Sequence, residues 1–200
     1  MARSTFRRSV LALVLLSLLE EEPMHPYRMH EMIKERGKDK IANVAARNSV
    51  YQTIDRLARA ELIAVLETAR DERRPERTVY EITEAGSAAL REWTADMLSS
   101  PAPEYPEFPA ALASLMVLDP EEVTARLEVR LADLRTSLAA DRLAVAAVPD
   151  LPRLFVLDDE YSIAVRSAEL TWLEGVLAAL HTGELTWSEE WVRAVAEKFK

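Results

Sequence analysis

The spacing of hydrophobic residues changes near residue 62, and this change constrains the fold more than any other feature of the sequence. Before it, residues 47–62 (RNSVYQTIDRLARAEL) repeat their apolar side chains every three to four positions, which predicts a helix. After it come two short β-branched runs, LIAVLET (62–68) and RTVYEIT (77–83). The polar segment ARDERRPE (69–76) joins them, so the pattern predicts two strands in a hairpin.

Two further helices are predicted ahead of this one, at about Thr5–Leu19 and Pro26–Arg36. The side chains expected to face the core are Tyr27, Met29, Met32 and Ile33 in the second helix and Val50, Ile54 and Leu57 in the third. Gly37 is expected to end the second helix, and Asn43 is expected to cap the third. Three helices followed by a hairpin predict a winged helix-turn-helix.

The second half of the chain is predicted to be helical. Further helices are expected at about 84–98, 120–147, 158–180 and 188–198. Residues 99–109 hold four prolines and are expected to form a linker rather than a helix. Asp119 and Pro120 mark the start of the longest helix, whose apolar stripe is Val123, Leu127, Leu131, Leu134 and Leu138. The predicted fold is therefore mainly α, with a winged helix-turn-helix in residues 1–90 and an all-helical domain in residues 91–200.

Charge is distributed unevenly along the chain. The net charge is −9, but residues 1–90 hold 15 basic and 14 acidic residues, whereas residues 91–200 hold 10 and 20. The acidic total therefore does not exclude a nucleic acid partner for the first half. Cysteine is absent, which excludes disulfides and thiolate metal sites and suits a cytoplasmic location. The run VLALVLLSLL (10–19) is too short to span a bilayer, so we expect a buried helix and no membrane contact.

The outward face of the third helix carries side chains that can read DNA. A helix in the major groove recognises bases through arginine, asparagine and glutamine, and holds phosphates through hydroxyls and basic groups. Two other segments carry basic groups where a winged helix would meet DNA, namely the start of helix one and the hairpin loop. A solvated polar helix face is the alternative for the third helix alone. The expected DNA-binding residues are Thr5, Arg7, Arg8, Tyr27, Arg47, Asn48, Ser49, Tyr51, Gln52, Arg56, Arg73, Arg74 and Arg77.

Several segments resemble the PadR family of transcriptional regulators, in its longer branch. VYQTIDRLARAELI (50–63) resembles the third helix of that family, VYEITEAGSAAL (79–90) resembles its second wing strand and fourth helix, and HPYRMHEMI (25–33) resembles the start of its second helix. The sequence departs from the family at Glu61, where glycine is usual, and in the wing. The resemblance implies a homodimer, formed through the fourth helix and the C-terminal helices, that represses transcription at a palindromic double-stranded DNA operator.

The resemblance also implies that some members bind small aromatic or cationic effectors. The residues selected for such a site are Trp93, Met97 and Trp172, with Tyr105, Phe108, Trp187 and Trp191 as further aromatic candidates. Glu169 and Glu174 stand near Trp172 and would favour a cation, the alternative being that both carboxylates are solvated on the surface. The alternative is that these aromatic residues belong to the core or to an interface, as most tryptophans at helical spacing do.

Two other functions compete with DNA binding. An enzyme would need a catalytic constellation, but the three histidines, His25, His30 and His181, form no recognised metal or acid–base motif, and no Gly-rich phosphate loop is present. We therefore expect no catalytic residues, no metal and no cofactor. A winged-helix module that binds only protein is the second alternative, and salt distinguishes it, because DNA binding weakens steeply as salt rises.

Overall fold

The computed structural model describes residues 8–44, 47–69 and 77–199, and the chain divides into two compact units, residues 1–103 and 104–200. The elements of the first unit are α1 (Val10–Glu21), α2 (Pro26–Glu35), a 3-10 turn (Lys38–Lys40), α3 (Arg47–Arg59), β1 (Ile63–Ala69), β2 (Arg77–Ile82) and α4 (Glu84–Ser99). This order of three helices, a hairpin and a fourth helix confirms the predicted winged helix-turn-helix.

The core of the first unit lies between α1, α2 and α3. Its fully buried side chains include Leu15, Leu16, Met29, Ile33, Val50, Ile54 and Leu57. Helix α1 begins at Val10 rather than at the expected Thr5, because the hydroxyl of Ser9 accepts the Ala12 N–H and caps the helix there. Thr5 and Arg7 lie outside the described residues.

Helix α2 confirms Met29, Met32 and Ile33 as buried and Gly37 as its stop, with Gly37 in the left-handed region at φ 65°. The expectation that Tyr27 belongs to the buried stripe was wrong, since 50% of its surface is exposed. His30 takes part in that stripe instead and is 4% exposed. Helical geometry explains both results, because Met29, His30 and Ile33 share a face at i, i+1 and i+4, and Tyr27 points away from it.

Helix α3 begins at Arg47, four residues after Asn43, so Asn43 is not its cap as expected. The strands that follow are antiparallel, with Ile63 opposite Ile82. The register shifts between Val65 and Glu67, which leaves an extra residue in β1 and bends the strand. The tip of the wing, residues 70–76, lies outside the described residues.

The junction between α3 and the hairpin closes around a strained residue. Glu61 has φ 58°, the left-handed conformation that glycine adopts without cost. The Thr83 hydroxyl donates to the Glu61 carbonyl at 2.8 Å and accepts the Gly86 N–H at 3.0 Å. The start of α4 therefore fastens the turn that leads out of α3.

The second unit is helical throughout. Its elements are α5 (Glu107–Ala113), a 3-10 turn (Leu115–Val117), α6 (Pro120–Ala146), a 3-10 turn (Arg153–Val156), α7 (Leu157–Thr182) and α8 (Glu189–Lys198). Helix α5 starts inside the proline-rich stretch that was expected to be linker up to residue 109. Pro109 is tolerated because it is the third residue of α5, in the first turn, where a backbone N–H has no partner within the helix.

Helices α6 and α7 form an antiparallel hairpin with an apolar seam. The seam contains Val123, Leu127, Leu131, Leu173 and Leu177, while Leu134 packs at its edge and is partly buried. The predicted start of α6 is confirmed, since the Asp119 carboxylate accepts the Glu122 N–H at 2.7 Å and Pro120 follows it. Within the described part of the chain, no helix combines the length and apolarity that a membrane span requires.

Candidate nucleic-acid interface

Helix α3 presents one polar face to solvent. Asn48, Tyr51, Gln52, Asp55, Arg56 and Arg59 are exposed, and Tyr51 keeps 44% of its surface open. The opposite face is held in the core by the buried stripe, so α3 cannot rotate to hide these side chains. Amides, a phenol and guanidiniums at successive turns can form hydrogen bonds to base edges and phosphates.

Arg47 and Ser49 are the other two residues of α3 that were predicted to contact DNA. Arg47 is the first residue of the helix, at the end where a helix-turn-helix reads bases. Ser49 is half-buried, and its carbonyl accepts the hydroxyl of the buried Thr53 at 2.7 Å. Ser49 therefore lies at the boundary between the polar face and the core.

Tyr27 lies in the first turn of α2, where its ring is exposed. The His25 ring caps this helix, because its Nδ1 accepts the Tyr27 N–H at 3.0 Å. Sequence reasoning considered His25 only as a metal ligand and missed the cap. The signal was the order His-Pro-Tyr, since proline favours the first position of a helix and the residue before it is then the N-cap.

Arg8 is engaged by another residue of the same unit. Its guanidinium pairs with the Asp96 carboxylate of α4 at 3.0 Å, and both side chains remain partly exposed. This pair joins the residue that precedes α1 to the last turns of α4. For Arg8 to contact a phosphate, the pair with Asp96 would have to open or share the guanidinium.

The wing contributes the start of β2. Arg77 is the first residue of that strand and stands opposite Ala69. Arg73 and Arg74 lie outside the described residues. The hairpin is anchored to the segment between α1 and α2 by backbone hydrogen bonds between Met24 and Tyr80 in both directions, at 3.0 and 3.1 Å. Burial raises the pKa of the Tyr80 phenol, and the nearby Asp55 raises it further. This side chain, which packs against the core of the first unit, therefore stays neutral.

The first unit as a whole is electrically balanced. Residues 1–103 hold 16 basic and 16 acidic residues, whereas residues 104–200 hold 9 and 18. Two arginines of α2 and its end are paired with carboxylates: Arg28 with Glu35 at 2.9 Å, and Arg36 with Glu21 at 2.6 Å. Hydrogen bonding to Arg36 lowers the pKa of Glu21. The Arg36 pair joins the end of α2 to α1, whereas the Arg28 pair lies within α2. The candidate interface therefore depends on α3 and the wing instead.

The residues selected for an effector site do not form one cluster within either unit. Trp93 is half-buried against the core of the first unit, and Met97 stands exposed one turn further along α4. Trp172, in the second unit, contacts Phe108 edge-to-face with ring centres 6.1 Å apart. The carboxylates near it are paired, Glu169 with Arg130 and Glu174 with Arg135, both at 2.6 Å.

Comparison with known proteins agrees with this geometry. Residues 15–92 match the model of the "Transcriptional regulator PadR-like family". The structure of Bacillus subtilis PadR in complex with operator DNA superposes with a TM-score of 0.70 at 19% identity, over 88% of this chain and 99% of that one. The same protein in complex with p-coumaric acid gives 0.68 at 19% identity, over 86% and 99%.

The virulence activator AphA of Vibrio cholerae gives a TM-score of 0.63 at 24% identity, over 86% of this chain and 98% of that one. At these identities the likeness is one of fold. No curated protein sequence matches the chain significantly. The family match includes α3, with its exposed polar face, and the hairpin that follows it. Residues 15–92 of the chain therefore form a domain that matches the PadR-like family of transcriptional regulators.

Proposed function

We propose that this protein is a homodimeric, sequence-specific DNA-binding regulator that represses transcription at a palindromic operator. The observation that carries the proposal is the polar face of α3, held outward by a buried stripe within a PadR-like domain. In this proposal residues 1–90 bind DNA and residues 91–200 provide dimerisation. The role is regulatory rather than catalytic, and the protein acts in the cytoplasm on double-stranded DNA.

Asn48, Gln52 and Arg47 are the proposed base readers, because they occupy the first half of α3, which enters the major groove in helix-turn-helix proteins. Arg56 lies just over two turns beyond Asn48 and is proposed to contact the DNA backbone. The other proposed DNA contacts within the described residues are Tyr27, Ser49, Tyr51 and Arg77. Arg8 joins them if its pair with Asp96 opens. Thr5, Arg7, Arg73 and Arg74 belong to the proposal on sequence grounds alone.

Self-association is supported by an exposed apolar stripe on α7. Leu157, Tyr161, Val165 and Trp172 recur at helical spacing, and each keeps between 46% and 72% of its surface exposed. A stripe of this kind on a long helix is typical of an interface between helices. A two-fold dimer places its recognition helices about 34 Å apart, which is one turn of DNA, and therefore requires an inverted repeat.

A small-molecule effector is part of the proposal. Bacillus subtilis PadR was solved both with operator DNA and with p-coumaric acid, which supports a regulator of this fold under small-molecule control. An aromatic or cationic molecule that favours one spacing of the two recognition helices would change the affinity for DNA. We propose release from the operator as the direction of that effect.

Selection of bound duplexes from a random library, at about 50 and about 200 mM salt, tests the proposal. We expect an enriched inverted repeat at the lower salt, with half-sites about 10 base pairs apart, and a loss of binding at the higher salt. Sedimentation of the purified chain alone should show a dimer. Absence of enrichment at both salts would contradict DNA binding and favour a winged helix that contacts protein.

A further inference from the structure

A pocket of about 430 Å³ opens at the surface of the second unit, between the α5 region and α8. We call it the α5–α8 pocket. Its lining residues are Leu112, Leu115 and Met116 from α5 and the 3-10 turn, Leu185, Thr186 and Trp187 from the segment after α7, and Trp191, Val192, Val195 and Ala196 from α8. Small-molecule sites in proteins commonly occupy about 300–1,000 Å³, so the volume suits a ligand of two or three rings.

The turn that builds the pocket is fixed at both ends. Gly183, with φ 76°, ends α7, and the Leu185 N–H donates to the Ala179 carbonyl at 3.0 Å. The Ser188 hydroxyl then caps α8 by accepting the Trp191 N–H at 3.1 Å. Both caps are local, so this turn forms whether or not a ligand is bound.

Trp187 fastens one wall of the pocket to the α5 side. Its indole Nε1 donates to the Leu118 carbonyl at 3.0 Å, and its ring packs against the seam of α6 and α7. Trp191 stands at the rim with 57% of its surface exposed. The pocket therefore has one fixed indole wall and one indole that a ligand could cover, and a preformed site loses little entropy on binding.

The lining chemistry selects a neutral ligand. None of the residues that the structure places around the pocket carries a charge, and Thr186 supplies the only hydroxyl. An ion bound there would lose its hydration without gaining a partner. Flat indole surfaces favour planar aromatic rings through offset or edge-to-face contacts. We infer that the α5–α8 pocket is a binding site for a small, uncharged, planar aromatic molecule.

This site differs from the one expected at Trp93, Met97 and Trp172, and its ligand class excludes a cation. It goes beyond the proposed regulatory function and does not depend on DNA binding, because the pocket is complete within residues 104–200. Binding can thus be measured on the protein alone.

The test uses two fluorescent probes with the same ring skeleton. N-phenyl-1-naphthylamine is neutral, whereas 1-anilinonaphthalene-8-sulfonate adds one negative charge. We expect the full-length protein to bind the neutral probe saturably, at one site per chain, and at least tenfold more tightly than the sulfonate. Equal or tighter binding of the sulfonate would overturn the inference that the site is neutral.

Methionine-methyl NMR locates the probe, since Met116 is the only methionine of residues 104–200. We expect the Met116 methyl signal to shift as the neutral probe saturates, while that of Met97 stays in place. A shift of Met97 alone would move the site to α4 and overturn the proposal, and so would the absence of any shift. Probe binding that weakens as protein concentration rises would show that a second copy fills the pocket.

Filling the pocket provides the matched variant. Val195→Trp, on the lining face of α8, should weaken binding of the neutral probe at least tenfold. Val129→Trp, the same change on an exposed position of α6, should leave binding unchanged. Equal affinity of both variants would overturn the assignment, and circular dichroism of each variant verifies that the helices are retained.

Discussion

Gly86 lies directly against the backbone of Leu62. A Cβ atom built on Gly86 would stand 2.0 Å from the Leu62 carbonyl oxygen and 2.7 Å from Ile82 Cγ1. The same carbonyl accepts the Thr83 N–H at 3.1 Å. The first turn of α4 therefore rests on the turn between α3 and β1, and this contact sets where the wing leaves the helix proposed to read DNA.

Replacing Gly86 by alanine should destabilise the first unit by about 1–3 kcal/mol or more, because the clash is with backbone atoms that cannot rotate away. Urea denaturation followed by circular dichroism measures the loss. Gly175→Ala is the control, since the structure leaves open space around that helical position. That control should gain about 0.5–1 kcal/mol in helix propensity. Equal stabilities for the two variants would contradict the contact.

Glu61→Gly should stabilise the protein by up to about 1 kcal/mol. The left-handed φ of 58° costs a non-glycine residue about 1–2 kcal/mol, and glycine's greater freedom in the unfolded chain offsets part of that gain. Glu61→Ala keeps the strain and should show no gain. If alanine stabilises as much as glycine, the effect comes from losing the carboxylate and the strain argument is wrong.

Asp141 and Arg166 form the most buried ion pair between α6 and α7, with Asp141 only 6% exposed. Asp141→Ala should cost about 2–4 kcal/mol, somewhat below the range for a fully buried pair because Arg166 is one-third exposed. The exposed pair of Arg135 and Glu174 is the control, and Glu174→Ala should cost less than about 1 kcal/mol. Thermal unfolding compares them, and equal losses would contradict the role of burial.

The pair of Glu21 and Arg36 predicts a pH dependence. The pKa of Glu21 is lowered mainly by its hydrogen bond to Arg36, so the folded state binds this proton less readily than the unfolded state. Its contribution is present above the ordinary carboxyl pKa and is lost as the pH falls below that value and through the lowered pKa of the folded state. Both side chains are nearly half exposed, so the loss should stay below about 1 kcal/mol.

Arg36→Gln should remove that part of the acid dependence. Lys34→Gln, which removes the same charge two residues earlier, should keep it. Urea midpoints measured at several pH values between 3 and 6 compare the two variants. If Arg36→Gln and the unaltered protein lose the same stability as the pH falls, the assignment is contradicted.

Local signals in the sequence predicted most of the fold. Asp119 with Pro120, Gly37 and the stripe of Val50, Ile54 and Leu57 each act within one or two turns of helix, so the sequence around them determines the outcome. Tyr27 was placed wrongly because apolar character was counted without the angle around the helix. The start of α5 inside the prolines was missed because first-turn positions need no N–H.

The long-range features could not be predicted in this way. The pairing of Asp141 with Arg166 joins residues 25 apart, and the bond from Trp187 to the Leu118 carbonyl joins residues 69 apart. Neither leaves a periodic trace in the sequence. The α5–α8 pocket depends on the second of these contacts. The sequence therefore offered Trp187 and Trp191 as aromatic candidates but gave no reason to place them together or to prefer them to Trp93 and Trp172.

The most direct test of the central claim is to repeat the selection of bound duplexes with Gln52→Ala beside the unaltered protein. Gln52 is exposed in the first half of α3 and, in this account, reads a base. We expect the inverted repeat to persist but to lose its preference at one position, at the same place in each half-site, while circular dichroism stays unchanged. An identical site, or an equal loss of affinity for all sequences, would contradict base reading by α3.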